Sequence, residues 1–258
     1  VEFQFGEGIR EFLEKYKDYA EQTWDESSWE NVQQEIDALF SDRYETIYVP
    51  AGRSLITLLT DQLMTLLSSD EGRSLDFCMQ TYVRRILSLR SRIREGFHDL
   101  LDEVLHTTQI KIDKEALHYM ERLIKEVLHV RYAYDRGEEQ LFFDEHRYVK
   151  INLASSGQQE AIWVFNIMYF YLLQNQKVFL IIEEPEAHLY PDAQKRIAEA
   201  IGLFEGAGNQ VFVTTHSPYI LGQFNNMLYA GELQEKAEGQ DEKKLHEILH
   251  PLSYIKIA

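Results

Sequence analysis

The sequence predicts an α/β fold built on a parallel sheet, and three observations lead to that prediction. Residues 178–182, VFLII, form a continuous apolar run, and residues 210–214, QVFVT, form a second run rich in β-branched side chains. A third run of this kind lies near residues 46–50, and Pro50 ends it. Helical patterns separate the first two runs, and apolar strands connected through helices are typical of a parallel sheet covered on both faces.

The remainder of the chain predicts helices and one hairpin. Residues 54–130 contain no proline, and their charged side chains are interleaved with Leu, Ile and Val at three- and four-residue spacing, as in packed helices. From residue 130 the period of the apolar residues changes to two, which predicts an antiparallel hairpin over residues 130–143. We therefore expect a largely helical lobe or arm, residues 1–146, with one core strand near 46–50, followed by an α/β core, residues 147–258.

Composition limits the classes of protein to which the chain can belong. It has 258 residues, 45% of them hydrophobic, and a formal net charge of -17. An acidic chain repels nucleic acid on average, so binding to a polyanion would need a local basic patch. The single cysteine, Cys78, excludes an internal disulfide framework. We see no signal peptide and no apolar run long enough for a membrane helix, so we expect a cytoplasmic protein without a membrane partner.

Two carboxylates follow the strand predicted at residues 178–182. Glu183 and Glu184 begin the sequence EEPE, and the carboxyl ends of parallel strands are where open α/β sheets place their ligands. One carboxylate can hold Mg²⁺ and the next can polarise an attacking water. The alternative is a solvated acidic turn that caps the following helix.

Two further segments carry polar groups of the kind found in active sites. The strand at residues 210–214 leads into His216, whose imidazole could contact a phosphate or hold a water molecule. Residues 154–160, ASSGQQE, form a small-residue loop that opens a helix, and helix N-termini bind anions. The alternative for this loop is an ordinary serine cap with Glu160 near the capping-box position.

Taken together, these segments resemble a known family in order and spacing. The motifs are SSGQQE at residues 155–160, IIEEPEAHLYP at 181–191 and TTHSPYIL at 214–221. The chain resembles the ABC-type ATPase heads, in particular the SMC-like and overcoming-lysogenization-defect-like (OLD-like) prokaryotic ATPases. The resemblance implies part of such a head, with a parallel sheet flanked by helices, a helical arm and a small antiparallel hairpin.

The resemblance also implies a function and assigns roles to residues. It implies ATP hydrolysis with Mg²⁺, dimerisation of two heads on ATP, and a DNA-related or anti-phage effector, which in some relatives is a nuclease. Residues 188–192 would lie in a loop that crosses the dimer interface. The implied signature loop, which contacts the γ-phosphate of a nucleotide on the opposite subunit, consists of Ser155, Ser156, Gly157 and Gln158. The implied Walker B acid that supports Mg²⁺ is Glu183. The resemblance implies Glu184 as the general base and His216 as the switch histidine.

The sequence departs from the family pattern at two points. The Walker B acid is usually aspartate, and Glu183 is one methylene longer. No Gly-x-x-x-x-Gly-Lys-Ser/Thr motif, which cradles the β- and γ-phosphates, occurs in the 258 residues. In this family that loop would precede the first residue of the sequence, so we expect these residues to form half of an active site.

Arginines outside these motifs suggest a second possible contact surface. They lie between residues 84 and 94, and we expect a solvated, salt-bridged helix there, with nucleic-acid binding through the arm as the alternative. Arg53, just after Pro50, predicts a structural ion pair, with a phosphate contact as the alternative. The clustered arginines are Arg84, Arg85, Arg90, Arg92 and Arg94.

Two other functions are compatible with the sequence. The first is a non-catalytic scaffold that binds a partner and has an incomplete ATPase site, although a decayed site need retain neither Glu184 nor His216. The second is a metal-dependent hydrolase that uses Glu183, Glu184, Glu186 and His188. A Glu184→Gln substitution separates the first from an ATPase, because only an ATPase would lose turnover.

Overall fold

A computed structural model describes residues 7–17, 31–32, 34–36, 44–54, 56, 77–90, 92–93, 112–135, 138–234, 236–237 and 239–255. By packing, the chain divides into two compact units, Val1–Tyr44 and Glu45–Ala258. The first unit contains helix α1 (Glu7–Tyr16), on which the rings of Phe12 and Tyr16 lie 4.8 Å apart. The domain boundary expected after residue 146 stays a prediction.

The central sheet of the second unit is parallel, as the sequence predicts. It consists of β1 (Glu45–Val49), β5 (Val178–Glu183) and β6 (Gln210–Thr214) in the order β1-β5-β6. Val49 pairs with Ile182, and Glu183 pairs with Thr214. Because the strands run in one direction, their carboxyl ends meet at one edge of the sheet. The predicted α/β fold class is thereby confirmed.

A second, antiparallel sheet includes the predicted hairpin. Strands β2 (Arg131–Asp135) and β3 (Glu138–Phe142) pair along their length, and β4 (Tyr148–Lys150) adds to β3. Alternation of apolar and polar residues is typical of such strands, because successive side chains point to opposite faces. The small antiparallel element of the predicted fold class is therefore present.

Helices flank the central sheet of the second unit. The first is α2 (Phe77–Arg90), and α3 (Lys114–Leu128) begins at a cap where Asp113 accepts the Ala116 N–H at 3.0 Å. Further along the chain come α4 (Ser156–Gln174), α5 (Pro191–Gly206), α6 (Pro218–Gln234) and α7 (Gln240–Ile248).

Helix α4 lies at the centre of the core. Apart from Asn166, it carries apolar and aromatic side chains around its whole circumference from Ala161 to Leu173, and this pattern is typical of a fully buried helix. Its side chains share one hydrophobic cluster with Val49 and Ile182 of the sheet and with Met120 of α3. The parts of the chain on which the predicted site residues lie are thus fixed to one core.

No helix among the described residues is both long enough and apolar enough to cross a membrane.

The arginines of α2 make the ion pairs that the sequence predicts. Arg85 pairs with Glu45, and its Nη1 donates to the Tyr171 hydroxyl at 2.8 Å. Arg90 also has an acidic partner, Glu139, but both side chains are buried, so the expectation of a solvated helix is wrong at this residue. Two of the clustered arginines therefore have acidic partners, and nucleic-acid binding through this segment stays a prediction, with Arg94 outside the described residues.

Candidate active site at the carboxyl ends of the strands

The chain makes a sharp turn at the end of β5. Glu184 has a left-handed backbone with φ of 43°, and its N–H donates to the Thr214 carbonyl at 2.9 Å. For a residue with a side chain, such a conformation costs about 1–3 kcal/mol and persists only where its surroundings enforce it. Here the hydrogen bond to the neighbouring strand enforces it, and the turn leaves Glu184 half exposed at the sheet edge.

Glu184 and His216 come together at this edge. His216 Nε2 lies 3.8 Å from Glu184 Oε1, and the His216 side chain is 92% exposed. The distance is too long for a hydrogen bond, but it allows an ionic contact when the imidazole is protonated. The structure therefore brings together the two residues that the sequence predicts to be catalytic.

Glu183 lies at the last position of β5, beside the end of β1. Its Oε2 accepts the Ala51 N–H at 3.0 Å. A carboxylate has about four lone-pair sites, so one backbone N–H leaves acceptor capacity for a cation. Glu183 thus fits the predicted role of a carboxylate that supports Mg²⁺ at the sheet edge.

The metal-dependent hydrolase considered above requires a different arrangement. Its four residues, Glu183, Glu184, Glu186 and His188, all belong to the described part of the chain. Within that part, no group of three or more His, Cys, Asp or Glu side chains is arranged to hold a metal ion. These four side chains do not converge because two of them bond elsewhere: Glu183 accepts from Ala51, and Glu186 accepts from the loop after β6.

The loop at residues 154–160 forms a capping box at the start of α4. Ser155 accepts the Gln158 N–H at 3.4 Å, and the Gln158 side chain accepts the Ser155 N–H at 3.2 Å. The Gln158 amide also donates to the Leu128 carbonyl at the end of α3, at 2.8 Å. The serine cap considered as the alternative for this loop is therefore present, and Gln158, at the third helical position, completes the box in place of Glu160.

Gly157 lets α4 approach the turn after β5. A Cβ atom at this position would lie 2.7 Å from the His188 carbonyl oxygen, a distance that side-chain carbons do not adopt. Ser156 is the first residue of the helix and is exposed. The sequence requires glycine here because of this contact between two distant segments.

A cleft of about 900 Å³ lies beside this contact. Residues 155–158 form one wall, residues 188–193 with Arg196 form another, and residues 126–129 close it. The N-terminal ends of α4 and α5 both border the cleft, and helix N-termini carry a partial positive charge that favours anions. The segments that the resemblance assigns to the signature loop and to the interface-crossing loop are thus adjacent.

Arg53 connects the strand ends to one another. It is 1% exposed, and its guanidinium donates to the carbonyls of Pro50 at 2.9 Å, Glu183 at 2.9 Å and Glu184 at 3.2 Å. Its Nε donates to the Glu160 carbonyl at 2.7 Å. An arginine three residues after the strand-ending Pro50 was the sequence signal for this residue, but its bonds to the Glu183 and Glu184 carbonyls could not be inferred from it.

Glu160 is the acidic partner of Arg53. Its Oε2 lies 3.3 Å from Arg53 Nε, and its Oε1 accepts the Ser54 N–H at 3.2 Å. Both side chains of the pair are buried. The predicted structural ion pair of Arg53 is confirmed, and it links the start of α4 to the ends of β1 and β5.

Comparison with known families gives the class of the protein. A family model described as the AAA ATPase domain matches residues 4–221. The chain belongs to the AAA ATPase domain family. No curated protein matches the chain.

The matched part of this AAA ATPase domain contains the whole candidate site. It includes Arg53, Glu183, Glu184 and His216 as well as the loop that opens α4, and it ends inside α6. Membership in an ATPase family supports nucleotide binding, and it agrees with the sequence interpretation of the strand-end carboxylates.

Proposed function

We propose that this AAA ATPase domain is an ABC/SMC-like, OLD-like nucleotide switch that hydrolyses ATP with Mg²⁺. The observation that supports this proposal most strongly is the 3.8 Å approach of His216 Nε2 to Glu184 Oε1 at the carboxyl edge of a parallel sheet. At such an edge, a carboxylate can accept a proton from a water molecule while an imidazole donates a hydrogen bond to a phosphate oxygen.

Each residue has a separate task in this mechanism. Glu184 accepts the proton of the attacking water, for which its half-exposed position at the sheet edge is suitable. His216 donates a hydrogen bond to the phosphate that is being cleaved. Glu183 would hold Mg²⁺, which, when bound, would neutralise charge on the phosphate oxygens.

The cleft at the start of α4 serves a second copy of the protein. Ser155, Ser156, Gly157 and Gln158 contact the γ-phosphate of a nucleotide bound to the opposite subunit, so ATP joins two heads and hydrolysis releases them. The two helix N-termini at the cleft support this assignment, because both favour an anion. Residues 188–192 line the same cleft and cross the interface between the subunits.

The proposal requires a phosphate-binding loop in addition to these residues. The sequence contains no Gly-x-x-x-x-Gly-Lys-Ser/Thr motif. A polypeptide segment outside residues 1–258, or a second chain, would supply it as a strand, glycine-rich loop and helix. Assays of turnover therefore use the protein with its full natural sequence.

The output of the switch is a separate part of the proposal. ATP-driven dimerisation, or assembly into a larger oligomer, would act on a DNA-related or anti-phage effector such as a nuclease, carried on the same or another polypeptide. The resemblance of the motifs at residues 155–160, 181–191 and 214–221 to OLD-like ATPases supports this assignment.

A substitution of Glu184 tests the function. Glu184→Gln keeps the size of the side chain and removes the proton acceptor, so we expect ATP turnover to fall by about 10²-fold or more while ATP-dependent dimers persist longer. Phosphate release measures turnover, and light scattering after size exclusion measures the dimer. Glu232→Gln is the matched control, because Glu232 is exposed on α6, away from the sheet edge.

The scaffold alternative predicts the opposite result. A scaffold would show no ATP turnover in the unsubstituted protein and the same oligomeric state for Glu184→Gln as for Glu232→Gln. An unchanged turnover in Glu184→Gln would contradict the role of this residue as the general base.

A further inference from the structure

The carboxylate of Glu186 holds the loop that carries His216. Its Oε1 accepts three hydrogen bonds: from Thr215 Oγ1 at 2.6 Å, from the His216 N–H at 2.9 Å and from the Ser217 N–H at 3.1 Å. Hydrogen bonds to an ionised carboxylate are about twice as strong as those between neutral groups. One side chain thus fixes three consecutive residues of the loop after β6.

Glu186 is itself fixed to the turn that contains Glu184. The Ala187 N–H donates to the Glu184 carbonyl at 3.1 Å, and the Leu189 N–H donates to the Glu186 carbonyl at 2.9 Å. The turn is therefore a hydrogen-bonded unit, and the position of Glu186 is tied to that of Glu184. Through Glu186, the loop of His216 is held at a set distance from Glu184.

A second contact holds the far end of the same loop. Ser217 Oγ accepts the Tyr219 N–H at 3.1 Å and donates to Gln194 on α5. The Gln194 amide donates to the Leu189 carbonyl at 2.8 Å, which returns to the turn after β5. The loop backbone is therefore fixed on both sides, whereas the His216 side chain stays exposed.

We infer that Glu186 is a positioning residue, which holds the His216 backbone opposite Glu184 through the Thr215 hydroxyl and two backbone N–H groups. This role needs no contact of Glu186 with the nucleotide or the metal. This inference rests on the proposed function insofar as Glu184 and His216 act together in turnover. It assigns to Glu186 a role other than the metal ligand considered from the sequence.

Paired substitutions in the full-length protein test the inference. Glu186→Ala removes all three hydrogen bonds, whereas Glu186→Gln retains an oxygen acceptor without the charge. Thr215→Val removes the hydroxyl at nearly constant volume, whereas Thr215→Ser retains the hydroxyl and loses only the methyl group. The readouts are hydrogen exchange of the His216 and Ser217 amides, and the kcat and KM of ATP hydrolysis.

The expected results follow from the hydrogen bonds. In Glu186→Ala, exchange at the His216 amide rises at least about tenfold, and exchange at the Ser217 amide rises less, because its N–H also donates to Thr215 Oγ1 at 3.0 Å. The kcat falls about 10–100-fold, as for other residues that orient a catalytic group, while KM changes by less than about twofold. The amide exchange rates and the kcat of Glu186→Gln lie between those of Glu186→Ala and those of the unsubstituted protein. Thr215→Ser matches the unsubstituted protein, and Thr215→Val has a lower kcat.

Other results would overturn the inference. Unchanged amide exchange in Glu186→Ala would show that the carboxylate does not hold the loop, and a rise in KM at constant kcat would indicate nucleotide binding. If Glu186→Ala does not fold, Glu186→Gln and Thr215→Val decide by the same readouts. If the unsubstituted protein hydrolyses no ATP, the proposed function fails, and amide exchange alone decides whether Glu186 positions the loop.

Discussion

Substitution of Arg53 gives the most direct test of how the site is held together. Arg53→Met keeps a long apolar side chain but removes the guanidinium, which donates to the carbonyls of Pro50, Glu183 and Glu184 and pairs with Glu160. Both charged side chains of the pair are buried. After the substitution, the Glu160 carboxylate would be buried without its cation.

The magnitude follows from these contacts. Removal of one partner of a buried ion pair costs about 3–5 kcal/mol, because the other charge is left uncompensated. Each carbonyl that loses its donor adds about 1 kcal/mol. With three such carbonyls, we therefore expect the free energy of unfolding to fall by about 6–8 kcal/mol, which is most of the stability of an ordinary domain. Arg53→Lys should cost less, because it retains the charge but not the planar fork of donors.

Urea unfolding of single and double variants measures this coupling. Arg53→Met, Glu160→Gln and the double variant form a cycle, and we expect the double variant to be about 0.5–3 kcal/mol more stable than the sum of the single effects predicts. The matched control is Arg84→Met on α2, an exposed arginine, for which we expect a change within about 0.5 kcal/mol.

Two results would refute this reasoning. If Arg53→Met changed the free energy of unfolding no more than Arg84→Met, the guanidinium would not stabilise the strand ends. If the effects of Arg53→Met and Glu160→Gln were additive, the two side chains would not be energetically coupled.

Two further predictions concern α4 and the C-terminal segment. Gly157→Ala should destabilise the protein, although alanine is favoured over glycine by about 1 kcal/mol inside a helix, because the added Cβ would meet the His188 carbonyl oxygen. A stabilised variant in urea unfolding would contradict this packing. Burial, with a contribution from the Arg122 charge, holds the pKa of His250 below its ordinary value of 6.5, and the neutral Nδ1 accepts the Leu252 N–H at 3.3 Å. Stability from this group is present above the unfolded pKa of about 6.5 and is lost as pH falls through the lower folded pKa. The amide of His250→Asn does not titrate, so thermal unfolding between about pH 7.5 and about pH 5 should show a smaller loss of stability in this variant than in the unsubstituted protein. An equal loss in the two proteins would contradict the assignment.

Local patterns in the sequence were sufficient to predict the parallel sheet and to place the candidate residues at the ends of its strands. The apolar run that ends in Glu183 and the β-branched run that leads to His216 each identify a strand and the residue that follows it. Because parallel strands align their carboxyl ends, these two local patterns place Glu184 and His216 at the same edge of the sheet, but the 3.8 Å between them comes from the folded chain.

Contacts between distant segments were beyond the sequence. Ser54 and Glu160 are 106 residues apart, and only the folded chain brings the Glu160 carboxylate to the Ser54 N–H and to Arg53. The same applies to Gly157, whose requirement for glycine comes from the His188 carbonyl and not from its own helix. For such residues, the three-dimensional partner determines the role.

The all-round burial of α4 has a mechanical consequence. Its first turn borders the cleft, while Trp163, two turns further on, packs edge-on against Tyr132 of the antiparallel sheet at 5.8 Å. A close-packed helix has little space in which to bend, since packed interiors have low compressibility. The packing should therefore keep the first turn of α4 at a fixed distance from the antiparallel sheet, so that the wall of the cleft and β2 hold one relative position.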